Sequence, residues 1–214
     1  MNNDFVKVYN KVIGEDLCKQ LIAMFEENPQ QHEDIKLEGH RSFKQVTLQQ
    51  HNDWQPFTEK LTEVFFEHID KYRQDCNITN GMFPEQFAFE QYRMKKYEAN
   101  DFDEFKDHVD VQSHAGAKRY LIMMAYLNED FDEGETQFPH HSISIPPKTG
   151  SILIFPPLWT HLHRGRPPIN GTAKYITMTY LNYTDMTKVD YNKNPLLGES
   201  YREGHGSMAA KENE

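Results

Sequence analysis

The sequence predicts an α+β fold, on three observations. Before residue 80, two segments carry apolar residues at helical spacing; after it, short strands alternate with Pro/Gly turns; and two of those strands, LIMMAYL and SILIF, read as buried on both faces. Short strands closed by such turns argue for a β-sandwich or a jelly roll. A length of 214 residues fits one domain. Within it, residues 1–80 read as a helical support region, 81–192 as the β core, and 193–214 as a polar, aperiodic tail expected to be loosely attached.

Taken in order, FVKVYNKV at 5–12 alternates as a short strand, and Gly14-Glu15-Asp16 leads into a helix with Leu17, Cys18, Leu21, Ile22 and Phe25 on one face. Asn28-Pro29 ends it. Residues 41–48 read as another strand, and Asp53 is placed to cap a helix reaching about residue 73, with Phe57, Leu61, Val64, Phe65 and Ile69 inward. Asn80-Gly81 and Pro84 mark turns before a long alternating strand over 86–97. The acidic run EANDFDEFKD at 98–107 is then a loop, polar and short of core anchors, and is expected to be a mobile lid. Beyond residue 118 come RYLIMMAYL, a turn at Asp132-Glu133-Gly134, TQFP, a strand over 140–145, a turn over 146–150, SILIFPP and AKYITMTYLNY.

Net charge is −10 and no long Lys/Arg run occurs, which argues against a nucleic-acid backbone as a partner. The N-terminus lacks the apolar core of a signal peptide, and no stretch approaches a membrane span, so the expected location is the cytoplasm. Cys18 and Cys76, far apart within helical patterns, are expected to be reduced, buried thiols.

The chemistry gathers at His108-Val109-Asp110. On a strand, the two-residue period would place the imidazole and the carboxylate on one face, close enough to share a metal. A third ligand must come from a neighbouring strand, and His161-Leu162-His163 can supply it. Two histidines and one carboxylate form the facial triad that holds Fe(II) with positions left open. H-x-D alone is weak: roughly 0.7 matches are expected by chance, and the chain has four. His32-Asp34 and His51-Asp53 lie in polar segments, and His68-Asp70 lies in a helical pattern that points the two side chains apart. His114, in a Ser/Gly/Ala loop, reads as surface.

From about residue 92 to 183, the elements HVD, AKRYLIMMAYLNEDFDEGETQF, PKTGSILIFPP and HRGRPPINGTAKY occur in that order. Together they resemble the catalytic core of the Fe(II)- and 2-oxoglutarate-dependent oxygenases, in the prolyl 4-hydroxylase-like branch. The resemblance implies a double-stranded β-helix (jelly roll) and a dioxygenase that hydroxylates a C–H bond, with a peptidyl proline favoured, while 2-oxoglutarate and O2 become succinate and CO2. It implies Fe(II) held by His108, Asp110 and His163, 2-oxoglutarate as cosubstrate, and ascorbate as a possible addition. His163 is preferred to His161 because a proline four residues on and Gly171 eight on keep the family spacing; His161 becomes a group that orients a ligand from outside or lines the pocket. Lys174 matches the basic residue for the distal carboxylate, and Tyr97 and Tyr126 match positions that hydrogen-bond 2-oxoglutarate. Arg119 and Trp159 match positions near the barrel without a catalytic role. The sequence departs in two places: Glu133-Gly134 stands where a glycine pair is usual, and Lys174 comes slightly late after His163. Partners on this reading are a protein, a peptide or a small molecule, and no membrane. The alternative is a jelly-roll module that senses a metal or small ligand without turnover.

Overall fold

In the computed structural model, which describes residues 5–100 and 102–184, the chain opens with β1 (Lys7–Tyr9), α1 (Glu15–Glu27), β2 (Glu33–Leu37), β3 (Arg41–Thr47) and α2 (Gln55–Asp75). β4 (Phe87–Phe89), β5 (Arg93–Tyr97) and β6 (Phe105–His108) follow, then β7 (Arg119–Tyr126), β8 (Phe131–Glu133) and β9 (Thr136–Phe138). β10 (Ile143–Ile145), β11 (Ile152–Phe155), β12 (His163–Gly165), β13 (Pro168–Gly171) and β14 (Lys174–Tyr183) complete it. The tail assigned to 193–214 lies outside the described residues.

α1 starts on Glu15 and Asp16, whose charges suit a helix N-terminus, and buries Cys18, Leu21 and Phe25 at helical spacing. It stops where Asn28 turns its amide onto the Met24 carbonyl (2.9 Å) ahead of Pro29. α2 buries Leu61, Phe65, Ile69 and Tyr72. The expected Asp53 cap is not made. Asp53 sits in a 3-10 turn over Asn52–Trp54, Trp54 occupies the cap position without a side-chain bond, and Pro56 sets the first helical turn. Both cysteines are buried thiols, as expected. Among the described residues no helix is long and apolar enough to cross a membrane.

The strands form a curled antiparallel sheet in the order β1-β11-β7-β14-β5-β3-β6-β12-β9-β10, with β2 beside β3 and β4 beside β14; β8 and β13 pair separately. β1 and β3 belong to this sheet, so the first 80 residues contribute strands as well as helices. Two faces are buried, which explains the continuous apolar runs. Leu121, Met123 and Ala125 of β7 face the helices, while Ile122, Met124 and Tyr126 face the inside of the curl. Phe138 of β9 and Phe155 of β11 stand near opposite ends of the strand order, yet meet edge to face at 4.8 Å. The sheet therefore bends round until its ends approach, making a half-barrel with its own interior.

Two expected strands are shorter than their sequence patterns. Residues 86–97 divide into β4 and β5, and Glu90, between them, takes Arg93 and Arg119 on its carboxylate. Residues 140–145 yield only β10, since Pro139 starts a 3-10 turn and Ser142 adopts a left-handed conformation (φ 55°).

Gly150 (φ +73°) fastens the N-terminal segment to this sheet. Its carbonyl accepts the Val12 and Ile13 N–H groups at 2.8 and 2.9 Å, and an added Cβ would lie 2.1 Å from the Ile13 carbonyl oxygen. Gly150→Ala combines a backbone clash with a disfavoured φ, and is expected to cost about 3 kcal/mol or more. In a thermal melt that is a fall of roughly 6–12 °C; an unchanged melting temperature would contradict the fastening role.

Candidate active site

β6 ends at His108 and β12 begins at His163, and these residues are cross-strand partners with ring centroids 4.2 Å apart. Asp110 reaches them differently from the sequence expectation. Residues 109 and 110 lie beyond the end of β6, where the Asp110 and Val111 N–H groups both bond the Pro157 carbonyl (3.1 and 3.3 Å). A turn, not a strand period, returns the carboxylate to the histidines. His108 Nε2 stands 3.8 Å from Asp110 Oδ1, and His163 Nε2 stands 3.5 Å from Oδ2.

The hydrogen bonds around this cluster leave three donor atoms aimed at one point. His108 Nδ1 bonds the Lys106 carbonyl (2.7 Å) and His163 Nδ1 bonds the His161 carbonyl (3.0 Å), so both rings carry the proton on Nδ1 and present a bare Nε2. Asp110 Oδ1 accepts the Tyr180 hydroxyl (2.7 Å), while Oδ2 is buried without a hydrogen-bond partner. A bare buried carboxylate oxygen is costly unless a cation meets it. His108 is not that cation: burial, reinforced by His163, pushes its pKa down to about 2. Among the described residues His108, Asp110 and His163 are the group able to hold a metal, with donor atoms within 4.8 Å of one another. Two neutral imidazoles and one carboxylate fit Fe(II).

His161 has a different place from the one its spacing suggested. It lies in a 3-10 turn ahead of β12, and its ring leans on His141 (5.0 Å) and bonds Thr160 instead of lining the cavity. Its contribution to the cluster is its backbone carbonyl.

Inside the curl a narrow cavity of about 40 Å³ runs from the cluster to Lys174, past Tyr97, Tyr126 and Thr136. Lys174 is 2% exposed. Its ammonium donates to the Gly134 and Arg166 carbonyls (both 3.0 Å) and lies 4.6 Å from the Tyr97 ring centroid. Burial pulls its pKa down to about 7, against the opposing pull of Glu135. Two carbonyls use two of its three donors, so the cavity is built to receive an anion. Tyr126 donates to Thr136 (2.7 Å), and burial pushes both tyrosine hydroxyls up, keeping them protonated. The late arrival of Lys174 is absorbed by β13, whose register slips between Ile169 and Gly171. Glu133 keeps the left-handed backbone that a glycine would favour (φ 57°) and is held by Arg166.

Sequence reasoning missed Tyr180 and Lys95. Tyr180 positions Asp110, and Arg119 stacks on its ring (4.1 Å). Lys95, 7% exposed, lines the cavity between Phe43 and Phe105, with pKa pulled to about 8 chiefly by burial. The signal was available: if Tyr97 faces inward, Lys95 two residues earlier shares its face. Tyr180→Phe removes one hydrogen bond from the carboxylate of this candidate metal cluster. Metal affinity should drop roughly 10-fold, read by calorimetry with Mn(II); no change would show Asp110 needs no such partner. The acidic loop is also better anchored than its composition suggested. Asp103 is buried and accepts from Ser42 Oγ (2.7 Å) and the Glu98 N–H (3.1 Å). Trp159 is 75% exposed.

Comparison with known proteins fits this geometry. Residues 92–182 match the family model of the 2OG-Fe(II) oxygenase superfamily. That segment contains the whole cluster, Lys174, and both cavity tyrosines. A solved structure of the viral collagen prolyl hydroxylase vCPH from Paramecium Bursaria Chlorella virus-1, a 2OG complex, superposes with a TM-score of 0.67 at 18% identity, covering 86% of this chain and 98% of that one. A Trichoplax adhaerens prolyl hydroxylase, bound to a peptide fragment of the hypoxia inducible factor oxygen degradation domain, gives 0.66 at 14% identity over 85% and 84% of the two chains. These likenesses show a shared fold. A prolyl 4-hydroxylase-type protein of Acanthamoeba polyphaga mimivirus is 38% identical over 64 residues, and the match spans 26% of this chain and 26% of that protein. The sheet that carries the cluster extends past the matched segment, since β3, from the first 80 residues, packs Phe43 into the interior of the curl.

Proposed function

We propose that the chain is an Fe(II)- and 2-oxoglutarate-dependent dioxygenase that hydroxylates a C–H bond of a peptide, with proline as the favoured residue. On this reading the half-barrel is a double-stranded β-helix. The observation that carries the proposal is the buried, unpartnered Asp110 Oδ2 set against two Nε2 atoms, with a buried ammonium at the far end of the same cavity. His108, Asp110 and His163 would hold the iron, leaving neighbouring positions open. When bound, the metal supplies the oxygen chemistry by which 2-oxoglutarate and O2 yield succinate, CO2 and a hydroxylated substrate.

The chain's own residues bind and orient. Lys174 would pair with the distal carboxylate of 2-oxoglutarate, and Tyr97 and Tyr126 would hydrogen-bond it as neutral phenols. Tyr180 fixes the Asp110 carboxylate, and the Lys106 and His161 carbonyls fix both imidazole tautomers. Ile122, Met124, Phe155 and Ile176 wall the cavity and exclude water, which keeps each charge–dipole contact strong.

The test is O2-dependent succinate formation from 2-oxoglutarate with added Fe(II), run beside Asp110→Ala. Succinate from the parent alone is expected. Tight metal and 2-oxoglutarate binding with no succinate, across a screen of peptides, would instead identify a sensing module. Proteome-wide mass spectrometry on cells carrying the parent or Asp110→Ala would then locate the substrate. Loss of hydroxyl marks from free metabolites only would refute a peptide substrate.

A further inference from the structure

The cavity opens past His108 and Asp110 into an outer cleft of about 440 Å³. On a chain with 33 acidic and 23 basic residues, this cleft is lined by Arg41, Arg93, Lys95 and Arg119, and Asp110 is the one acidic residue among its lining residues. Much of that positive charge is uncompensated. Arg93 and Arg119 share a single carboxylate, that of Glu90. Arg41 rests over the Phe105 ring (5.7 Å), and Lys95 stands over Phe43 (4.6 Å) and Phe105 (5.4 Å). Among the described residues neither meets a carboxylate within ion-pair distance. His40 adds a buried Nδ1 that has no hydrogen-bond partner. A buried, unpaired ammonium is expensive to keep where a methionine would fill the space, so its retention calls for a ligand.

We propose that this cleft selects an acidic peptide: an Asp or Glu side chain next to the hydroxylated residue would sit on Lys95 and Arg41 while its neighbour faces the His108–Asp110–His163 cluster. The inference rests on the dioxygenase reading and names the substrate class for that site. The two aromatic rings flanking Lys95 favour a carboxylate on an aliphatic stem, which buries its methylenes against Phe43 and Phe105 while its charge meets the ammonium. A nucleic-acid phosphate would bring no such apolar stem. Lys95 belongs to this outer site rather than to the cosubstrate end, where Lys174 already stands.

The experiment measures equilibrium binding of dye-labelled, proline-containing peptides to the full-length, metal-free protein by fluorescence anisotropy. The peptides differ only in the residue beside proline, Glu, Gln or Lys. The Glu peptide should bind at least about tenfold tighter than the Gln peptide, with the advantage shrinking as salt rises. Arg41→Glu should invert the order in favour of the Lys peptide. Lys95→Gln, checked for folding by circular dichroism, should reduce the Glu-over-Gln ratio to about threefold or less. Equal binding of the three peptides overturns the proposal, as does a Glu preference untouched by both variants. So does Lys95→Gln weakening 2-oxoglutarate binding alone, or a short oligonucleotide outcompeting the Glu peptide. Succinate formation by the parent without peptide reports separately on the dioxygenase reading. A charge preference without succinate would leave the cleft assignment standing, and succinate without a preference would leave only the reaction.

Discussion

His163→Ala is expected to remove Fe(II)-dependent 2-oxoglutarate turnover, whereas His161→Ala should stay within about threefold of the parent. Loss of a group that merely orients a ligand already costs 10- to 100-fold in affinity or activity, so loss of the ligand itself should cost on the order of 10³-fold or more. The contrast comes from how each residue is used. His163 offers its bare Nε2 to the point faced by Asp110 Oδ2. His161 offers only its backbone carbonyl to His163 Nδ1, and an alanine keeps that carbonyl. Its ring points to His141 and Thr160, so its removal leaves the cluster intact. Initial rates of succinate formation, with Mn(II) affinity by calorimetry on the same folded variants, would decide the matter. Retained turnover in His163→Ala with loss in His161→Ala would overturn the ligand assignment.

The cluster was legible because its members sit in unusual local company: one H-x-D outside both the polar segments and the helical pattern that hold the other three, and a distant histidine followed by Pro and Gly at fixed steps. What failed was the reason for their meeting. The two-residue period assumed a strand through Asp110, but β6 stops at His108, and loop hydrogen bonds donated to the Pro157 carbonyl do the work. No local pattern encodes a bond between residues that far apart in the chain. The helices were readable from their apolar stripes, yet the Asp53 cap was not, because Pro56 and the buried Trp54 set where α2 begins. The both-faced burial of β7 and β11 was visible as unbroken apolar runs. The inward face of β5 was hidden, because Lys95 is charged and reads as solvated; only its position two before Tyr97 says otherwise. Tyr180 was hidden for a different reason, as one of three tyrosines in a largely buried strand, with a hydroxyl partner 70 residues away in sequence.

Lys174→Met should raise the 2-oxoglutarate KM by a hundredfold or more, since leaving a buried carboxylate without its cation costs about 2–5 kcal/mol. The protein itself should fold at least as stably. In the ligand-free state burial pulls the pKa of the ammonium down to about 7, although two carbonyls and a tyrosine face hold it. The pH dependence follows with opposite signs for folding and binding. Between about pH 7 and the ordinary lysine range the unfolded chain holds the proton that the folded chain has lost, so this group makes the free protein more stable as pH rises. Binding of a dicarboxylate needs the protonated form, so its affinity should be greatest below about pH 7 and weaken by up to tenfold per unit above it. Glu135 opposes the fall in the Lys174 pKa, and His108, neutral above about pH 2, contributes no break in this window. Lys174→Arg separates charge from titration: it should retain binding and remove this break, because a guanidinium stays protonated throughout. Isothermal titration of the metal-substituted protein with 2-oxoglutarate between pH 6 and 9 would show both effects. An unchanged constant in Lys174→Met, or a pH profile identical for Lys174 and arginine, would move the distal carboxylate to another cation, and Lys95 is the one the cavity offers.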